Sequence, residues 1–179
     1  MTDDMTSARR RAMLRVDHAG EYGAVSIYEG QLAVFGKRPG HERIRTQLRE
    51  MASQEEAHLQ AFDDILLKER IRPTLMSPIW KAAGFTLGAT TALLGEKAAH
   101  ACTEAVESVI EEHYAQQIEA FRATGDTDLA ERISAFRDDE IAHRDLASDE
   151  GAREAPAYPL LAAVIRTGCR LAIRISERL

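Results

Sequence analysis

Cysteine is nearly absent: the chain has two in 179 residues, Cys102 and Cys169, far apart and with no CxxC pair. That excludes a disulfide framework and a cysteine-based zinc site, and points to two buried thiols in a reducing compartment. Aromatic residues are scarce at 6 %, with a single tryptophan, Trp80. No alternating strand pattern of useful length is present, so the class is all-α. Long hydrophobic runs are missing as well. The longest uncharged stretch, 82–95, has 14 residues, too few for the roughly 20 that a bilayer span needs. Positive charge is not in excess either. A net charge of −6 removes the electrostatic signature of a nucleic-acid partner. The N-terminus lacks an apolar h-region, and Asp3 and Asp4 argue against a transit peptide.

Against those absences stand 29 % charged and 45 % hydrophobic residues, the composition of a soluble globular domain. The patterning predicts helices at about 6–35, 41–70, 96–123 and 127–150, a short apolar segment at 78–94 and a last helix at 157–178. Gly36–Gly40, Pro73, Gly125, Pro156 and Pro159 punctuate them, and Asp126, Thr127 or Asp128 is placed to cap the fourth. The loops within each helix pair are short and the connection between the second and third is long. One long crossover in a four-helix bundle is the ferritin-like topology.

An internal repeat supports that topology. Leu14, Glu21, Tyr28 and Phe35 recur every seven residues, and so do His100, Glu107, Tyr114 and Phe121. Seven residues is close to two helical turns, so each series lies on one slowly drifting stripe. Met51, Glu55, His58 and Phe62 mark the second helix, and Phe136, Glu140, His143 and Ala147 the fourth. The pattern reads as duplication of a two-helix unit.

Glu21, Glu55, His58, Glu107, Glu140 and His143 are the residues this repeat places among apolar neighbours. Glu and His three apart project from the same face of a helix, close enough to share a metal. One Glu-x-x-His is worth little, because about one is expected by chance in a chain this rich in Glu. Two, each at a matched distance from a further Glu, define a carboxylate-bridged two-metal site in a helical bundle. Four carboxylates turned into a core would each cost several kcal/mol unpaired. Two divalent ions balance them, with Glu55 and Glu140 as bridges and Glu21 and Glu107 as terminal ligands. The donor set suits iron or manganese better than structural zinc. Lesser candidates are Asp139 as an orienting partner of a ligand His, Tyr28 and Tyr114 as pocket lining, and His18, one turn before Glu21. Glu56, Glu111 and Glu112 fall off the stripes and read as solvated.

The segment Arg15-Val-Asp-His-Ala-Gly-Glu-Tyr-Gly-Ala24 closely resembles the opening motif of the demethoxyubiquinone hydroxylases, the di-iron Coq7/Clk-1 family. Arg72-Pro-Thr, Gly88-Ala with Thr91–Gly95, Ala101-Cys-Thr103, Phe136-Arg-Asp, Ala155–Tyr158 and Ser176–Leu179 extend the resemblance over nearly the whole chain from Arg9. The resemblance implies one ferritin-like domain over 1–179, two Fe ions on the same six residues, O2 as co-substrate, and NADH or another reductant as electron source. The implied reaction hydroxylates a polyprenyl methoxy-benzoquinone in ubiquinone biosynthesis.

A polyprenyl substrate gives the apolar segment 78–94 and the last helix a purpose: to lie at a membrane surface and admit a lipid tail. Arg166, Arg170, Arg174 and Arg178 form an i, i+4 ladder. Arg170 and Arg174 are its candidates for a nicotinamide diphosphate or a lipid headgroup. The expected location is the cytoplasmic face of a bacterial inner membrane, or the matrix side of the mitochondrial inner membrane for a mature eukaryotic form. Apolar faces on the outer helices are open to another copy of the chain, a lipid-presenting partner or a quinone-biosynthesis complex. The rival readings are a ferritin-like protein that oxidises iron or consumes peroxide, and a non-catalytic lipid-binding scaffold.

Overall fold

The computed structural model describes residues 2–178, with side-chain surroundings from Ser7 onward. Among the described residues the chain is all-α, with six helices: α1 (Thr2–Phe35), α2 (Glu42–Glu69), α3 (Ser77–Leu93), α4 (Glu96–Ala123), α5 (Thr127–Asp149) and α6 (Tyr158–Ser176). A 3-10 turn at Ala152–Glu154 precedes α6. α1 starts four residues before the pattern indicates, because neither proline nor glycine stands before Thr6 to stop the helix. No described helix is long and apolar enough to cross a membrane.

The chain divides into two compact units. The first comprises Met1–Leu93 with Leu171–Leu179, and is built on α1, α2 and α3. α2 buries Ile44, Leu48, Met51, Glu55, His58, Phe62 and Leu66, a three-and-four spacing that lays one stripe against α1. α1 answers with Leu14, Tyr28 and Phe35. Phe62 is fully buried, and its removal would cost about 3–5 kcal/mol. Between the two helices, Arg45 donates to the carbonyls of Gly36 and Arg38 and ties the loop to α2. α2 ends at Arg70, whose left-handed conformation (φ 55°) lets its N–H reach Leu66 and Leu67.

α3 packs on α1 backbone to backbone, and glycine permits this. A Cβ on Gly84 would lie 2.7 Å from the Gly23 carbonyl oxygen, and one on Gly30 2.8 Å from the Ala89 nitrogen. α3 therefore buries Gly84, Gly88, Thr91 and Ala92 and turns its large side chains elsewhere. Ile79, Phe85 and Leu93 are exposed. Trp80 is half-buried, and its indole N–H donates to Ser176 Oγ at 3.1 Å.

The second unit is Leu94–Arg170. Gly95, at φ 114°, opens it in a conformation that L side chains rarely adopt. α4 is the most buried helix of its unit, with fifteen buried residues, and α5 packs along it through Leu129, Ile133, Glu140, His143 and Ala147. Asp126 occupies the N-cap of α5, but its side chain makes no cap hydrogen bond. Ala98, Ala101, Ala152 and Ala155 form a small-residue cluster that brings Tyr158 and Leu161 close to α4.

Candidate metal centre

In the first unit the seven-residue stripe of α1 carries Glu21 inward, and α2 presents Glu55 and His58 one turn apart. All three are buried, and each offers a ligand atom within 4.8 Å of the others. His58 Nδ1 stands 3.7 Å from Glu21 Oε2 and 4.0 Å from Glu55 Oε2. The second unit repeats the arrangement with Glu107 from α4 and Glu140 and His143 from α5, again buried and within 4.8 Å. There His143 Nδ1 is 3.4 Å from Glu140 Oε2.

These separations are longer than good N–H···O hydrogen bonds. They are closer to the spacing of two donors on one metal: with bonds of about 2.1 Å, neighbouring ligands sit roughly 3.0–3.4 Å apart. Burying two carboxylates within a few ångströms of each other disfavours their charged forms unless a cation compensates. Each triad can thus hold a metal ion through two carboxylate oxygens and an imidazole Nδ1. A structural zinc site would fill four positions from the protein; three per triad leave room for exogenous groups.

The neighbouring polar side chains differ from what periodicity implies. Glu111 is not solvated: Arg137 donates to it at 3.0 Å and Arg144 closes on its other oxygen, so it clamps α5 to α4. Glu56 and Glu112 are exposed as expected, although Glu112 accepts from Arg170 at 3.1 Å. Arg166, 32 % exposed, turns from the ladder toward α4. It donates to both oxygens of Glu104, at 3.1 and 2.9 Å, and Tyr158 OH donates to the same carboxylate at 2.9 Å. Glu104 is 3 % exposed and was overlooked because it lies outside the heptad. Its signal was available: it stands one turn before Glu107 on the same face. Arg174 and Arg178 are exposed. Tyr28 and Tyr114 are fully buried packing residues, and Asp139 is half-buried.

The two thiols also diverge. Cys102 is buried, whereas Cys169 is only partly so. Burial, with the Glu107 carboxylate adding to it, pushes the Cys169 thiol up to about 12 against the weaker opposing pull of Arg170. It is a neutral thiol at physiological pH and no thiolate ligand.

Buried carboxylate–imidazole triads on paired helices give this all-α chain groups of side chains able to hold a metal ion. Residues 8–176 match the family described as "Ubiquinone biosynthesis protein COQ7", and the chain belongs to that family. It is 52 % identical over 167 residues to a 3-demethoxyubiquinol 3-hydroxylase of Rhodospirillum rubrum, covering 92 % of this chain and 76 % of the relative. With the human mitochondrial NADPH-dependent 3-demethoxyubiquinone 3-hydroxylase it shares 43 % identity over 180 residues, 99 % of this chain and 81 % of the human protein. With the mitochondrial 5-demethoxyubiquinone hydroxylase of Saccharomyces cerevisiae it shares 40 % over 190 residues, 98 % and 81 % of the two chains. Membership extends the resemblance first carried by residues 15–24 to almost the full chain.

Proposed function

We propose that the chain is a di-iron monooxygenase that hydroxylates a demethoxyubiquinone-type polyprenyl benzoquinone, with O2 as co-substrate and NADH or another reductant as electron source. In this reading α1, α2, α4 and α5 form one ferritin-like four-helix domain, and the two triads share a pair of iron ions. Glu55 and Glu140 would serve as the bridging carboxylates, Glu21 and Glu107 as terminal ligands, and His58 and His143 would each hold one ion. When bound, the iron pair supplies the two electrons that activate O2.

The protein's part is positioning and exclusion. Ligands on rigid helices hold their geometry through packing of Phe62, Tyr28 and Tyr114, and the buried setting keeps bulk water from the reaction. The exposed Ile79, Phe85 and Leu93 of α3, with Leu67 and Leu75 before it, suit a lipid surface. Lys68, Arg70 and Arg72 lie among them and are also exposed, the charge that anionic headgroups attract. A peripheral position on the cytoplasmic face of a bacterial inner membrane, or the matrix side of a mitochondrial one, follows from the hydrophobic substrate. Arg170 and Arg174 remain the candidates for a nicotinamide diphosphate, Arg170 by exchanging its partner Glu112.

The observation that carries the reading is the pair of equivalent buried triads in a COQ7-family chain. Iron-loaded protein given short-tailed demethoxyubiquinone, NADH and isotopically labelled O2 should yield quinone with one labelled oxygen atom. Label only in water would refute hydroxylation and favour an iron-handling or peroxide-consuming bundle. No reaction at full metal occupancy would favour the scaffold.

A further inference from the structure

His18 sits one turn before Glu21 on α1 and is 4 % exposed. Its Nε2 is 2.9 Å from Asp63 Oδ1 on α2, while Asp63's side chain is half exposed, at 51 %. Its other nitrogen, Nδ1, is fully buried and makes no hydrogen bond within the protein. The ring lies stacked on Tyr22 at 16° with centroids 6.3 Å apart, which fixes its plane. One end of this imidazole therefore meets a solvent-wetted carboxylate and the other ends in the interior, on the face of α1 that carries Glu21.

The corresponding position of the second unit, 86 residues on, is Glu104. It offers no such path, because Arg166 and Tyr158 saturate its carboxylate.

We propose that Asp63 and His18 form a proton inlet that carries solvent protons toward the metal ligands of the first unit. The proposal rests on the monooxygenase reading, in which each turnover takes one O2, two electrons from the external reductant and two protons. One oxygen atom enters a ring C–H bond as hydroxyl, and the other leaves as water with the two protons. Asp63 takes a proton from solvent and passes it to His18 Nε2. The imidazolium releases its Nδ1 proton inward and is left with the proton on Nε2; a tautomer exchange that returns this proton to Nδ1 frees Nε2 to accept the second from Asp63. An imidazole is suited to this, since one ring nitrogen can take up a proton while the other gives one up. Asp63 and His18 are positioning and transfer residues here; neither is assigned contact with substrate.

The test uses full-length protein in two forms. In zinc-loaded, nitrogen-15 histidine-labelled protein, the His18 ring N–H should exchange with solvent despite its burial, and Asp63→Ala should slow that exchange at least tenfold. If Asp63 is merely a structural prop, its removal opens the site and exchange speeds up, which overturns the inlet. In iron-loaded protein, Asp63→Ala should lower turnover about 10- to 100-fold, the low end of what positioned proton transfer contributes, with quinone KM and iron content unchanged. Added formate or imidazole should restore the rate of Asp63→Ala, and His18→Gln should show the same loss without formate rescue. Wild-type turnover in Asp63→Ala, loss of iron, or a rate that no small acid restores would each overturn the inlet. Failure of the wild type to hydroxylate quinone would instead remove the function proposed above, while the exchange measurement would still read the inlet itself.

Discussion

Substitution of Gly88 by alanine is expected to destabilise the protein even though alanine is the better helix former. A Cβ there would run into the Ile27 carbonyl oxygen and lie 2.8 Å from its carbonyl carbon and 3.0 Å from its Cα. Ordinary carbon–carbon contact is about 3.5–4.0 Å, and all three obstacles are backbone, so no side chain can swing away. α3 must retreat from α1 by about 1 Å along the crossing held by Gly30, Gly84 and Gly88. Overpacking of this kind costs about 1–3 kcal/mol, here toward the upper end. Alanine returns about 1 kcal/mol of helix propensity, leaving a net loss of about 2 kcal/mol. For a chain of this size that lowers Tm by roughly 4–8 °C. Gly23→Ala is the matched control. It lies in α1, a Cβ there meets nothing within 4 Å, and it should raise stability by about 0.5–1 kcal/mol. Thermal melts followed by circular dichroism on both variants decide the matter. A Gly88→Ala protein as stable as wild type would refute the close crossing, because the propensity gain would then stand unopposed.

Four further outcomes are expected. Arg166→Met should cost about 2–4 kcal/mol by leaving Glu104 buried without its guanidinium, and adding Glu104→Gln should recover part of that loss; additive costs in denaturant melts would show the pair uncoupled. Because the Cys169 thiol is raised from 9.0 to about 12, the folded state holds a proton that the unfolded chain releases first. That stability is present below pH 9 and lost as pH rises toward 12, and iodoacetamide should modify Cys169 at least a hundredfold faster in denatured than in folded protein; equal rates would contradict the burial. Joint replacement of Ile79, Phe85 and Leu93 by serine should weaken binding to anionic liposomes by at least tenfold with iron content unchanged, and unaltered binding would exclude α3 as the membrane contact. Glu140→Ala should abolish quinone hydroxylation while retaining most helical signal at 222 nm, and normal turnover would defeat its assignment as a bridging ligand.

The all-α class and the two triads were legible because helices write their geometry into the sequence as spacing. Glu55-x-x-His58 and Glu140-x-x-His143 are neighbours on a helix face whatever surrounds them, and the recurrence of Glu, Tyr and Phe every seven residues identified the buried stripe. Periodicity does not say which partner a side chain meets across an interface. Arg166 reads as part of an exposed ladder, yet it turns inward to pair with the buried carboxylate of Glu104. Trp80 stands in the apolar segment, yet Ser176, distant in sequence, accepts its N–H. Glu111 reads as solvated because both its arginines come from another helix. The glycine crossing had a sequence signal in Gly84 and Gly88, four residues apart, which the composition of an apolar segment concealed.

The duplicated halves clarify what selection by chemistry has kept and what it has let diverge. Glu21 and Glu107, Tyr28 and Tyr114, and Phe35 and Phe121 hold equivalent places, and all are buried. One turn before Glu21 and Glu107 the equivalence ends. The first half has an imidazole hydrogen-bonded to a half-exposed carboxylate, whereas the second has a carboxylate closed off by an arginine and a tyrosine. A buried Glu–Arg pair of this kind is electrostatically satisfied and costly to open, so it gives protons no reason to pass. An imidazole beside a wetted carboxylate is the opposite case, since it can accept a proton at one nitrogen and yield one at the other. The two triads are thus alike in their donor groups and unlike in their neighbours, and the inlet proposed above belongs to the first unit.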